Sequence, residues 1–258
     1  MAKSSVVGRS AHKKKMRRIG SDADIREGVA ALTSACPHLA RIHALAGDPP
    51  LRKRPKGFEG LARVIVGQQL SIASAGAIWG RVDARVKPFD AATLLAVPDR
   101  DLRKAGLSRG KIATLRTVAE AIDLGALKLS ALDRAPEEVI HAELTALKGI
   151  GPWTADIYIM FSLARADAWS PGDLALQHAV KDALLLTERP SLEQMNEVAE
   201  AWRPWRGVAA RLLWSYYALL RKSAASPLGD EALTKSAPRR LTAKPIKASL
   251  RRKPGSSF

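Results

Sequence analysis

Two short stretches carry residues whose types and order suit chemistry. In SPGDLALQHAV, Pro171 and Gly172 break the chain and Asp173 stands directly before an apolar-periodic run. An aspartate in that place caps the helix, accepting from first-turn N–H groups, and the helix dipole favours its anionic form. A fixed carboxylate beside a sugar ring stabilises an oxocarbenium-like centre and orients water, so Asp173 is the candidate catalytic group. Upstream, LKGIGPWTADI places two glycines around Ile150, followed by Pro152 and Trp153. Only Lys148, Gly149, Ile150 and Gly151 join PEEVIHAELTAL to PWTADIYIMFSLA. So tight a reversal needs backbone angles that glycine takes cheaply. Ile150 is expected to plug the gap between the helices, and Pro152 suits a first turn, where its missing N–H costs nothing. The free N–H groups of that turn then form a phosphate site that reads no sequence.

Each feature also has a plainer use. Asp173 is a good helix cap whatever else it does, and a glycine corner between helices often serves packing alone. Asp156, the nearest rival carboxylate, sits on the helix after the corner and reads as half of a surface ion pair. The junction IVGQQLS, with Ser71 as the expected cap of the following helix, reads either as a polar joint or as an inserting turn. His38, His43, His141 and His178 form no metal-ligand cluster, and His12 lies among basic residues; His178, just over one turn past Asp173, is a candidate to support it. Trp202, Trp205, Tyr216 and Tyr217 fall at helical spacings and read as core.

Those residues must be positioned by helices. From Asp22 to about Lys222 the apolar periodicity is helical throughout, with Pro37 dividing the first helix and Asp or Ser at several starts. Period-two runs rich in β-branched residues are missing, so the expected fold is all-α, in two helical lobes. The 258 residues include one cysteine, Cys36, which excludes a disulfide framework or a four-cysteine cluster within this chain and reads as a small core residue. No apolar stretch approaches the roughly 20 residues of a membrane span, and MAKSSVVGRSAHKKKMRRIG lacks the apolar core of a secretory signal; an intracellular protein is expected.

The net charge is +17, from 42 basic and 25 acidic side chains. Residues 1–20 hold seven Lys/Arg and no acid, and residues 221–258 hold ten against Asp230 and Glu231, which leaves only +2 for the body. The expected organisation is a basic disordered arm over 1–20, a helical domain over 21–222 and a basic tail over 223–258. Within the domain, the lobes are placed at 21–55 plus 165–222 and at 56–164. Such arms suit a polyanion, because each cation near a phosphate releases condensed counterions; a solubilising role or an anionic-membrane contact is the alternative.

At LKGIGPWTAD followed by SPGD, the chain resembles the helix–hairpin–helix DNA glycosylase superfamily. RVIVGQQLSIASAGAIWGRV, GLSRGKIATLRTVAEAI and WRPWRGVAARLLWSYYAL resemble its alkylation-repair branch, DNA-3-methyladenine glycosylase II, over about residues 22–222. The resemblance implies a two-lobed helical fold with the active-site cleft between the lobes and without an N-terminal β domain. It implies a monomeric, monofunctional glycosylase that flips cationic alkylpurines such as 3-methyladenine from double-stranded DNA and hydrolyses the N-glycosidic bond. Asp173 falls on the catalytic position, and Trp153 and Trp214, with Tyr158, are expected to line the base pocket. Lys148, Gly149, Ile150, Gly151 and Thr154 fall at the phosphate-binding hairpin. Gln69, beside Ser71, falls on the position that wedges into the gap left by the flipped nucleotide, with Leu70 expected to pack behind it. No cofactor is required, and no metal is held by side chains; a structural Na+ or K+ at the main-chain carbonyls of Thr145, Leu147 and Ile150 is implied. Lyase members carry a lysine where this chain has Trp153, and indole cannot form a Schiff base. The alternatives are a non-catalytic hairpin DNA-binding protein and a bifunctional glycosylase/lyase acting on oxidised bases.

Overall fold

The computed structural model describes residues 16–224; the arm upstream of Met16 and nearly all of the basic tail lie outside the described residues. Residues 16–218 belong to one compact unit, which carries every side chain discussed below.

Among the described residues the chain is all-α, and its only β feature is an isolated bridge between Arg18 and Arg165. α1 (Asp22–Ala35) opens with a capping box in which Ser21 and Asp24 satisfy each other's backbone donors. Pro37 ends that run and starts α2 (Pro37–Ala46), because proline is tolerated in a first turn and not within a helix. Cys36 forms the joint and is half-buried, where a core position was expected: a chain break cannot pack as a helix interior does.

α3 (Gly57–Gly67) buries Phe58, Leu61, Val64, Ile65 and Val66, and α4 (Ile72–Asp83) follows behind the Ser71 cap. Then come α5 (Ala91–Ala96), α6 (Asp99–Lys104), α7 (Arg109–Asp123) and α8 (Leu129–Leu132), a single turn too short to show as periodicity. α9 (Glu137–Thr145) and α10 (Pro152–Phe161) form the hairpin, and α11 (Leu174–Ala183), α12 (Leu192–Glu200) and α13 (Arg206–Ala224) complete the chain.

The helix contacts fall into two groups. α3 packs on α4, α7, α8 and α10, and α7 on α5 and α6, whereas α2 packs on α1 and α11. Gly28 of α1 lies against Trp205 and Val208 so closely that a Cβ would sit 2.7 Å from the valine, which ties α13 to the second group. Residues 16–20, grouped by charge with the arm, are part of this body. Ile19 is buried, and Arg18 donates to Asp133 Oδ1 (2.7 Å) and to the carbonyls of Leu163 and Asp133. The RPWR segment is structural as well: Arg206 donates to Asp167 (2.9 Å), Arg203 pairs with the same carboxylate, and Trp205 is buried. Among the described residues no helix is long and apolar enough to cross a membrane.

Candidate active site

Asp173 caps α11, its Oδ1 accepting from Leu176 N at 2.9 Å. The loop before it is fixed by Gln177, a buried side chain whose amide donates to the Pro171 carbonyl (2.9 Å). Two indoles complete the setting. Trp153 Nε1 donates to Oδ2 at 2.8 Å, and Trp214 Nε1 to Oδ1 at 3.1 Å. One indole comes from the first turn of α10 and the other from the middle of α13, so three elements converge on one carboxylate. A carboxylate has about four acceptor sites. Three are occupied by protein donors, which leaves room for one contact with a sugar or a water.

The indoles were expected as walls for a base, and their N–H groups prove to be committed to Asp173. Phe161, which sequence reasoning did not single out, packs on Trp214 with ring centroids 5.6 Å apart. Arg211, buried behind it, lies 4.5 Å above the Phe161 ring and donates to the carbonyls of Gly207 (2.7 Å) and Met160 (3.1 Å). Burial pulls its guanidinium down to about 10. One turn before Trp214 on the same helix, Arg211 could have been found from that spacing.

Tyr158 does not belong to the pocket. It is fully buried, and its hydroxyl accepts from Gly57 N (3.2 Å), so its ring fills the core between α3 and α10. Burial pushes its phenol up to about 12. His178 is exposed and stacks on Tyr217 at 6.1 Å; no hydrogen bond ties it to Asp173.

At the corner, Gly149 has φ of 92°, and a Cβ there would meet Thr114 Oγ1 of α7 at 2.0 Å. Both observations demand glycine. Gly151 differs: its φ is −93° and a Cβ would enter open space, so the corner itself does not require it. That open space lies at the N-cap of α10, where an anion would approach. Lys148 is exposed beside it. Ile150 is buried, as a plug should be, and its N–H is committed to the Leu147 carbonyl (3.0 Å), so it offers a phosphate no donor. Thr154 is a correction: it is 2% exposed and its Oγ1 accepts from Gln68 Nε2 (2.8 Å), which removes its side chain from the DNA contacts.

The junction between α3 and α4 presents Gln69, exposed and with φ of 55°, an uncommon angle for a residue with a Cβ. Leu70 is 38% exposed and stands beside Gln69, where packing behind it was expected; Ile72 is 77% exposed. Ser71 accepts from Ser74 N (3.2 Å) as the cap of α4.

Asp156 is no surface pair. Its side chain is only 13% exposed, 3.6 Å from His141 Nε2, and burial pushes its carboxyl up to about 7, with the Ser170 hydroxyl pulling the other way and the Glu137 charge adding to the rise. It lines a cavity of about 620 Å³ with Glu137, His141, Trp169 and Arg206, which contains neither Asp173 nor its two indoles.

Residues 62–204 match the family model described as the HhH-GPD superfamily base excision DNA repair protein. The chain belongs to the HhH-GPD superfamily. Among its superfamily relatives, DNA-3-methyladenine glycosylase 1 of Schizosaccharomyces pombe is 31% identical over 73% of this chain and 89% of that protein. The 3-methyladenine DNA glycosylase of the same yeast, solved in complex with abasic DNA, superposes with a TM-score of 0.68 at 27% identity, covering 73% of this chain and 95% of that one. A DNA-3-methyladenine glycosidase from Bacillus halodurans is similar at 34% identity and a TM-score of 0.64, covering 80% and 95%.

Proposed function

We infer that this HhH-GPD member is a monofunctional DNA glycosylase that takes alkylated purines such as 3-methyladenine out of duplex DNA and hydrolyses their N-glycosidic bond in base excision repair. The observation that carries the reading is the carboxylate of Asp173, held by Trp153, Trp214 and Leu176 N with one acceptor direction left over. The alkylation-repair names of the relatives support the substrate class.

The chemistry follows from charge. An alkylated purine that is already cationic leaves readily, so the enzyme's main task is to stabilise the sugar cation that remains. A carboxylate locked by three donors needs no reorganisation as that charge develops. It also orients the water that attacks C1′. The turn at Gln69 fills the space left by the extruded nucleotide, which offsets the few kcal/mol that unstacking costs. The N–H groups of Gly151 and Trp153 at the start of α10, which among the described residues have no backbone acceptor, and the adjacent Lys148 hold a phosphate.

A monovalent cation would bind at the carbonyls of Thr145, Leu147 and Ile150. α9 ends at Thr145, so carbonyls there lose their helical donors, and that of Leu147 accepts one bond, from Ile150 N at 3.0 Å. Such an ion would add positive charge facing the phosphate. One chain supplies every group of the site, which supports action as a monomer, inside the cell where its DNA substrate is.

Asp173→Asn is expected to keep the fold and DNA binding and to cut base release by about a hundredfold or more, the size of a lost electrostatic stabiliser. Excision from methylated duplex measures it, and near-normal turnover would leave a DNA-binding protein without this catalytic centre. Borohydride trapping of a protein–DNA adduct would instead favour a lyase, against the indole at position 153.

A further inference from the structure

The turn through Gln68, Gln69 and Leu70 is held from behind with unusual firmness. A left-handed residue with a Cβ is strained, so its surroundings must enforce it. Lys111 of α7 does so at one end. Its Nζ donates to the carbonyls of Val66 (2.7 Å) and Gln68 (2.9 Å), filling acceptors that the end of α3 leaves open and placing a cation at the negative end of that helix. The Gln68 side chain fastens that same end a second time, through its bond to Thr154 on α10. Among the described residues Lys111 has no acidic partner, and its ammonium is directed at the two carbonyls of the turn. One helical turn further along α7, Thr114 is the side chain that fits against Gly149. A single rigid helix thus touches both corners assigned to DNA.

We propose that Lys111 is a positioning residue for base extrusion, locking the Gln69 turn while α7, through Lys111 and Thr114, sets its distance from the phosphate-binding corner. The proposal rests on the reading of Gln69 as the inserting residue. A rigid wedge contributes most where extrusion costs most: at a lesion stacked and paired in intact duplex. It contributes least where no pairing opposes the flip.

The test is single-turnover excision of one N-methylpurine, either opposite its normal partner or opposite an abasic site, by Lys111→Met, Lys111→Arg and Gln69→Ala. Lys111→Met, which removes both bonds of the ammonium group, is expected to lose about tenfold or more on the paired lesion and less than about twofold on the unpaired one. Lys111→Arg, which still offers two donors, should restore most of the loss, and Gln69→Ala should show the same selectivity. An equal loss on both substrates, or no loss, by Lys111→Met with a selective Gln69→Ala would overturn the role of Lys111 and leave the wedge standing. An unselective Gln69→Ala would remove the wedge reading and the proposal with it. Should Lys111→Met not fold, Thr154→Val releases the second tie on Gln68, and the same paired-lesion selectivity is required of it.

Discussion

Asp173 has three donors on two oxygens, and the two indoles supply those that a substitution can remove without emptying space. Phenylalanine keeps most of the ring and deletes the N–H. Trp153→Phe and Trp214→Phe are each expected to lower kcat by about ten- to a hundredfold with little change in KM, since a hydrogen bond to a charged group is worth about 1.5–3 kcal/mol. If the rings act only as walls for a flipped base, phenyl would keep kcat, and steady-state kinetics on methylated duplex separates the two roles. Asp173 and both tryptophans were singled out in the sequence as candidate site residues. Their direct bonds were not, because nothing in a linear spacing says which edge of an indole faces a carboxylate from another helix.

At the scale of the element, the hairpin divides its glycines between two duties. Gly149 is required by its φ and by Thr114, and Gly151 by neither. Gly149→Ala should therefore destabilise the fold by about 2–4 kcal/mol, a strained angle added to a clash. Gly151→Ala should leave stability within about 0.5 kcal/mol and weaken DNA binding, as its methyl group enters the space open to a phosphate. Chemical denaturation and a binding titration on each variant check this. The corner could be read from GIG because a four-residue link leaves few conformations. The faces of α10 could not: Thr154, Ala155 and Ile157 to Met160 are all buried, so no amphipathic stripe told Tyr158 and Thr154 apart from Trp153.

For the whole molecule, the buried carboxyl of Asp156 links stability to pH. Its folded value of about 7 lies above the ordinary 3.8, so the native state holds a proton that the unfolded chain releases. The stability this contributes is full below about pH 4 and is lost as pH rises through about 7. Asp156→Asn, which cannot ionise, should melt several degrees higher than the wild type at pH 8 and show little gain at pH 4; calorimetry across that range decides it. The same residue shows where the sequence of the body misleads. The polar side chain of Asp156 in a helix suggested water, whereas α10 is central enough to bury it.

The sequence alone determined the all-helical class, several helix starts, the glycine corner and the identity of the candidate catalytic carboxylate. These depend on local rules: capping geometry, proline's fixed φ, apolar period and the few angles a short link permits. Only the tertiary structure decided that Trp153 and Trp214 clamp Asp173, that Phe161 and Arg211 back the second indole, that Tyr158 is core, and that Lys111 grips the Gln69 turn. Each of those is a contact between side chains far apart in the chain, set by how the helices pack rather than by the residues on either side.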